Sequence, residues 1–134
     1  MTSQPAEGSA FYRRYLTRCN EHRFDDLGEF IADDVNGPAE GLDRYIAGLH
    51  AVTAAFPVYH WDLHRLLVDG PWLAARLSGT GTHTGTFRGI PATGRRIRSQ
   101  ELVISRLADG KIAEVWGDLG STVRDELTHL ETAT

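Results

Sequence analysis

From Val58 to Asp118 the chain reads as long strands separated only by short turn signals, and this run most constrains the fold. Val58 to Val68 is rich in β-branched and aromatic residues, and Asp69-Gly70-Pro71 follows it as a turn. Trp72 to about Arg88 is a second long strand with Gly79, Gly81 and Gly85 inside it, which predicts bulges or strong bending. Gly89-Ile90-Pro91-Ala92-Thr93-Gly94 reads as a loop. Arg95 to Leu107 is a strand, Ala108-Asp109-Gly110 a hairpin turn, and Lys111 to Asp118 its partner.

The first half is helical. Phe11, Tyr12, Tyr15, Leu16 and Cys19 recur at helix spacing, with Ser3 and Pro5 as start signals and Asn20 as a stop. Asp25 is placed to cap a short second helix with Leu27, Phe30 and Ile31 on its apolar stripe. After the break at Asn36-Gly37-Pro38, a third helix carries Leu42, Tyr45, Ile46, Leu49, Val52 and Phe56 on one face, and Pro57 ends it. A last short helix, 122–130, has Ser121 as its cap. Helices followed by a meander of strands define an α+β fold. Three N-terminal helices would pack on a strongly curved antiparallel sheet and enclose a cone-shaped cavity, the default place for a small molecule.

With 134 residues the chain makes one domain, 1–134. It is 41% hydrophobic and 24% charged, which excludes a disordered or coiled-coil chain. The net charge of −4 argues against a nucleic-acid partner, and no apolar run is long enough to span a membrane. Residues 1–10 carry no secretory pattern, and a single cysteine, Cys19, permits no internal disulfide, so a reducing cytoplasm is the expected location. No phosphate-binding glycine turn precedes a helix, so neither nicotinamide nor flavin is expected. His60, Asp62 and His64 alternate on one strand, but such alternation commonly makes a plain polar face, and no metal is expected.

The stretch Gly81-Thr82-His83-Thr84-Gly85-Thr86-Phe87-Arg88-Gly89-Ile90-Pro91-Ala92-Thr93-Gly94 resembles the signature of SnoaL-like polyketide cyclases. Asp109-Gly110-Lys111-Ile112-Ala113-Glu114-Val115-Trp116 resembles the same family's last hairpin, and Asn20 to Asp34 resembles its opening. The resemblance implies a cone shared with ketosteroid isomerases, limonene epoxide hydrolases and scytalone dehydratases. It also implies cofactor-free acid–base ring closure of a hydrophobic polycyclic substrate, and a homodimer or homotetramer joined through exposed sheet faces. The chain departs from the family at several positions. The family aspartate after the last tryptophan falls on Gly117, with Asp118 one residue later. A family histidine matches Val103, an amide matches Glu101, and a pocket asparagine matches Gly37, with Asn36 adjacent.

Candidate residues follow from both readings. Alternation puts Ser99, Glu101 and Val103 on one strand face and Leu102 and Ile104 on the other. Glu101 is then either a carboxylate in an apolar cavity, serving as general acid or base, or half of a cross-strand pair with Arg76, Arg98 or Arg106. Asp118 would stand in for the family aspartate if a bulge at Gly117 turned it inward; otherwise it ends the strand in solvent. Arg76 would polarise a substrate oxygen or sit in an ion pair outside. His83 would shuttle a proton or fix the glycine-rich bend. Asn36 is a second candidate for oxyanion stabilisation. Tyr45, Val103 and Trp116 are expected to contact substrate, with Trp61 and Trp72 adding flat apolar area. Epoxide opening by Glu101 and Arg76, or binding without chemistry, are the alternatives to ring closure.

Overall fold

The computed structural model describes residues 4–117 and 119–132. Helix α1 (Gln4–Asn20) leads through a 3-10 turn (Phe24–Glu29) to α2 (Gly41–Ala55). Four strands follow, β1 (His60–Asp69), β2 (Trp72–Thr82), β3 (Arg96–Ala108) and β4 (Lys111–Trp116), and then α3 (Leu119–Thr132). The strands form one antiparallel sheet in chain order, with short turns joining β1 to β2 and β3 to β4 and the longer 83–95 segment joining β2 to β3. The positive φ angles of Gly70, Asp109 and Gly110 make those turns.

α1 packs on β1 and α3 on β3, so the helices roof one face of the sheet. Between the layers lie Leu16, Leu27, Ile31, Val52, Phe56, Leu73, Leu77, Ile97, Ile112 and Leu127, all buried. Asn20 both ends α1 and fastens it: its side-chain amide donates to Trp61 O at 2.9 Å, and its Oδ1 accepts from Trp61 N at 2.8 Å. The Asn20 side chain thereby satisfies both backbone groups of a β1 residue.

Several local expectations need correction. The short second helix is a 3-10 turn whose first residues receive no side-chain cap; Asp25 instead accepts from His50 Nε2 at 3.0 Å. The last helix starts at Leu119, two residues before the expected cap Ser121. Gly79 and Gly81 are not bulges. They pair regularly with Ser99 and Ile97, and the irregularity of the β1–β2 ladder lies at His64, between Leu63 and Arg65. The two glycines serve tertiary packing instead. A Cβ on Gly79 would overlap the Tyr59 hydroxyl, and one on Gly81 would press on Tyr59 and Phe56 at 3.0 and 3.2 Å.

Candidate active site

Regular pairing fixes which residues face the helices. Leu77 lies opposite Glu101, Ala75 opposite Val103 and Gly79 opposite Ser99, all on the roofed face. Leu102, Ile104 and Arg76 take the other face. Between roof and sheet is a cavity of about 480 Å³, in the range of small-molecule sites. α1 lines it with Tyr12, Tyr15 and Cys19, α2 with Tyr45, and the sheet with Trp61, Leu77, Glu101, Val103 and Val115. Arg44, Thr86, Phe87, Arg88 and Gly120 also line it, from α2, the 83–95 segment and α3.

Among the described residues Glu101 is the one carboxylate in that lining. It is 7% exposed, and its Oε2 has no hydrogen-bond partner. Burial penalises its charged form and raises its pKa from an ordinary 4.5 to about 7; the Tyr59 hydroxyl opposes this with a smaller downward pull. The alternative reading, a cross-strand pair with Arg76, Arg98 or Arg106, has no ion pair behind it among the described residues. Arg76 lies opposite Leu102 on the outer face, and Arg106 pairs with Glu114.

Three phenols and a thiol share the cavity with this carboxyl. Tyr15 and Tyr45 bring their hydroxyls to 2.6 Å. Whichever of the two donates, the other keeps a proton for a ligand. Burial raises the pKa of both, and of Tyr12, well above the usual phenol value, so all stay neutral donors near pH 7. Burial likewise pushes the Cys19 thiol up to about 12, which makes it a poor nucleophile. Among the described residues the arrangement is a mostly apolar chamber with one proton-exchanging group, neutral donors around it and Arg44 and Arg88 also on its lining, suited to forming and quenching an enolate.

The other nominated residues stand elsewhere. His83 is fully buried but outside the cavity lining, stacked on Phe56 with ring centroids 5.1 Å apart. Its Nδ1 accepts from Thr93 N at 3.2 Å and lies 2.9 Å from Thr93 Oγ1, so it fixes the loop rather than reaching a substrate. Asn36 is exposed, and its Oδ1 accepts from Val115 N at 2.8 Å, clipping the edge of β4. Arg76 is exposed on the outer face because β2 pairs without interruption on the β3 side. Trp116 is 46% exposed on that same face and lies 5.7 Å from Trp72, so of the tryptophans only Trp61 lines the cavity. Tyr45 and Val103 do line it. Asp118 lies outside the described residues. β4 ends at Trp116, so no strand pairing runs through Gly117, which has φ +144°; the ladder slips earlier, between Arg106 and Leu107. His60 approaches Asp62 at 3.3 Å while His64 binds Ser78 Oγ at 2.7 Å, so these three side chains do not converge.

Tyr12, Cys19 and Tyr59 escaped the sequence reading as site residues. Tyr12 and Cys19 sit on the α1 stripe taken for plain core, although hydroxyls and a thiol there already marked a polar streak. Tyr59 is announced only by the glycines that admit it.

Fold and site together define a helix-roofed, curved-sheet protein with a partly open cavity around one buried carboxyl. Comparison with known proteins makes this specific. The SnoaL-like polyketide cyclase family model matches residues 9–125. Aklanonic acid methyl ester cyclase of Streptomyces peucetius is 32% identical over 123 residues, 84% of this chain and 85% of its own. Nogalonic acid methyl ester cyclase of Streptomyces nogalater is 32% identical over 119 residues, 78% and 86% of the two chains. A SnoaL-like polyketide cyclase crystal structure from Agrobacterium tumefaciens superposes with a TM-score of 0.73 at 33% identity, covering 87% of this chain and 94% of that one. The chain belongs to the SnoaL-like polyketide cyclase family.

Proposed function

We propose that this cyclase closes a ring on a polycyclic, polyketide-derived substrate without a cofactor, with Glu101 as the group that moves the proton. The supporting observation is the buried carboxyl of Glu101 in the lining of a cavity that also holds the phenols of Tyr12, Tyr15 and Tyr45 and the cations Arg44 and Arg88. As base, Glu101 takes a proton from an activated carbon. The Tyr15–Tyr45 pair donates to the resulting enolate oxygen, replacing Asn36 and Arg76 in that role. The enolate carbon attacks a carbonyl of the same molecule, and Glu101 returns its proton to the new alkoxide. Epoxide opening lacks support because Arg76 is outside the cavity.

The names of the relatives make methyl esters of polycyclic polyketide acids the first substrates to try. Turnover by the wild type, lowered by roughly 10²–10⁴ in Glu101→Gln, is expected. A loss under about tenfold assigns the proton to another group.

We also propose a homodimer formed through the outer sheet face, in the cytoplasm. Leu67, Trp72, Leu102, Ile104 and Trp116 are exposed there at 59%, 42%, 75%, 46% and 46%. An apolar patch in the middle of a sheet favours a second copy. Among the described residues no helix is long and apolar enough to cross a membrane.

A further inference from the structure

We propose that Arg44 is a specificity-determining residue: it selects a substrate that carries a free carboxylate and holds that group at the mouth of the cavity while the ring system lies deeper. This rests on the reading of the cavity as the substrate site.

The first ground is charge. The whole chain has a net charge of −4. The cavity lining has the opposite sign: among the described residues its charged side chains are Arg44, Arg88 and Glu101. Two cations against one carboxyl leave the lining positive whether Glu101 holds its proton or not. Glu101 is buried and both arginines are exposed, so the positive charge stands at the mouth and the carboxyl at depth. A cation beside a low-dielectric wall attracts an anion more strongly than the same cation on open surface.

The two arginines differ in what holds them. Arg88 lies across Gly120, where a Cβ would overlap its guanidinium, and its Nη1 donates to Ser121 Oγ at 3.3 Å. It thereby joins the 83–95 segment to α3. Arg44 donates from Nη1 to Ala39 O at 3.3 Å and forms no ion pair among the described residues. Its nearest acids in sequence, Glu40 and Asp43, are not on the lining.

Room beside Arg44 is the second ground. Gly48 and Ala51 follow it by four and seven residues on α2, on the same side of the helix, and both line the cavity. A Cβ on Gly48 would meet nothing within 4 Å. A flat ring can therefore lie along this strip of short side chains with its carboxylate against the guanidinium, whose planar fork matches it. A methyl ester offers that fork no charge.

The test is a matched pair of probes, anthraquinone-2-carboxylate and its methyl ester, titrated calorimetrically at about 20 mM and about 300 mM salt. Wild-type protein is expected to bind the carboxylate about three- to fivefold more tightly at low salt, with the preference shrinking at high salt. Arg44→Gln is expected to abolish the preference by weakening the carboxylate alone, and Arg44→Lys to keep part of it. Gly48→Leu fills the strip with a better helix former and is expected to weaken both probes. A wild type that binds the ester as well as the carboxylate, or binds neither, overturns the proposal. So does a preference that survives Arg44→Gln, or binding of both probes untouched by Gly48→Leu, which would put the anion outside the cavity. Ring closure is read separately: turnover of a polyketide ester without any carboxylate preference removes Arg44's role and keeps the cyclase reading, and the preference without turnover does the reverse.

Discussion

Glu101 combines its proposed chemical role with a stability cost, and the two separate by substitution. Its folded-state pKa lies above its ordinary one, so the folded protein holds the proton more tightly than the unfolded chain. Its contribution to stability is full below pH about 4.5 and is lost as pH rises through about 7. Each pKa unit is worth about 1.4 kcal/mol, so the loss is on the order of 3 kcal/mol. Glu101→Gln has no charge to bury. Its melting temperature is expected to fall less than the wild type's between pH 5 and 8, by several degrees. Parallel curves for the two proteins would show that the carboxyl ionises as freely folded as unfolded. The residue proposed to move the proton is thus expected to weaken the fold at neutral pH.

At the scale of elements, the sequence was legible wherever one strand's alternation decided the answer. The inward set Ser99, Glu101 and Val103 follows from period two alone, whereas Trp116, expected against the substrate, lies opposite Ile104 on the outer face. It was illegible wherever a second element supplied the reason. Gly79 and Gly81 read as bend signals because nothing local to β2 reveals the aromatic rings that lie across them. Asn36 read as a pocket residue because its neighbour Gly37 matched one, yet its amide satisfies the backbone of a strand far along the chain. That bond gives a prediction for β4. Asn36 has φ +60°, so Asn36→Gly keeps the backbone relaxed and removes only the side chain. Urea unfolding is expected to show a loss of about 1 kcal/mol with unchanged turnover. Lost turnover at unchanged stability would return Asn36 to the substrate site.

For the whole molecule, the two faces of the sheet divide the labour: one encloses the chamber and the other is free to join a second copy. A stable interface buries about 800 Å² per partner, which a four-stranded face can supply. Wild-type protein is expected to sediment as a dimer, and Trp116→Glu as a monomer that keeps its melting behaviour. A wild type that sediments at 14.8 kDa excludes the outer face as an interface. The chamber's rim has its own consequence. The amides of Thr84 and Gly85 both donate to Ala55 O, at 3.0 and 3.1 Å, tying the glycine-rich segment to the last turn of α2. The same helix carries Tyr45 at depth. An entrance stretched by a bulkier guest would drag that helix and carry the phenol away from its partner. Tolerance at the doorway and speed at the reaction centre are therefore not independently adjustable in this cone, and a lineage that broadens its diet here must re-tune its chemistry in the same step.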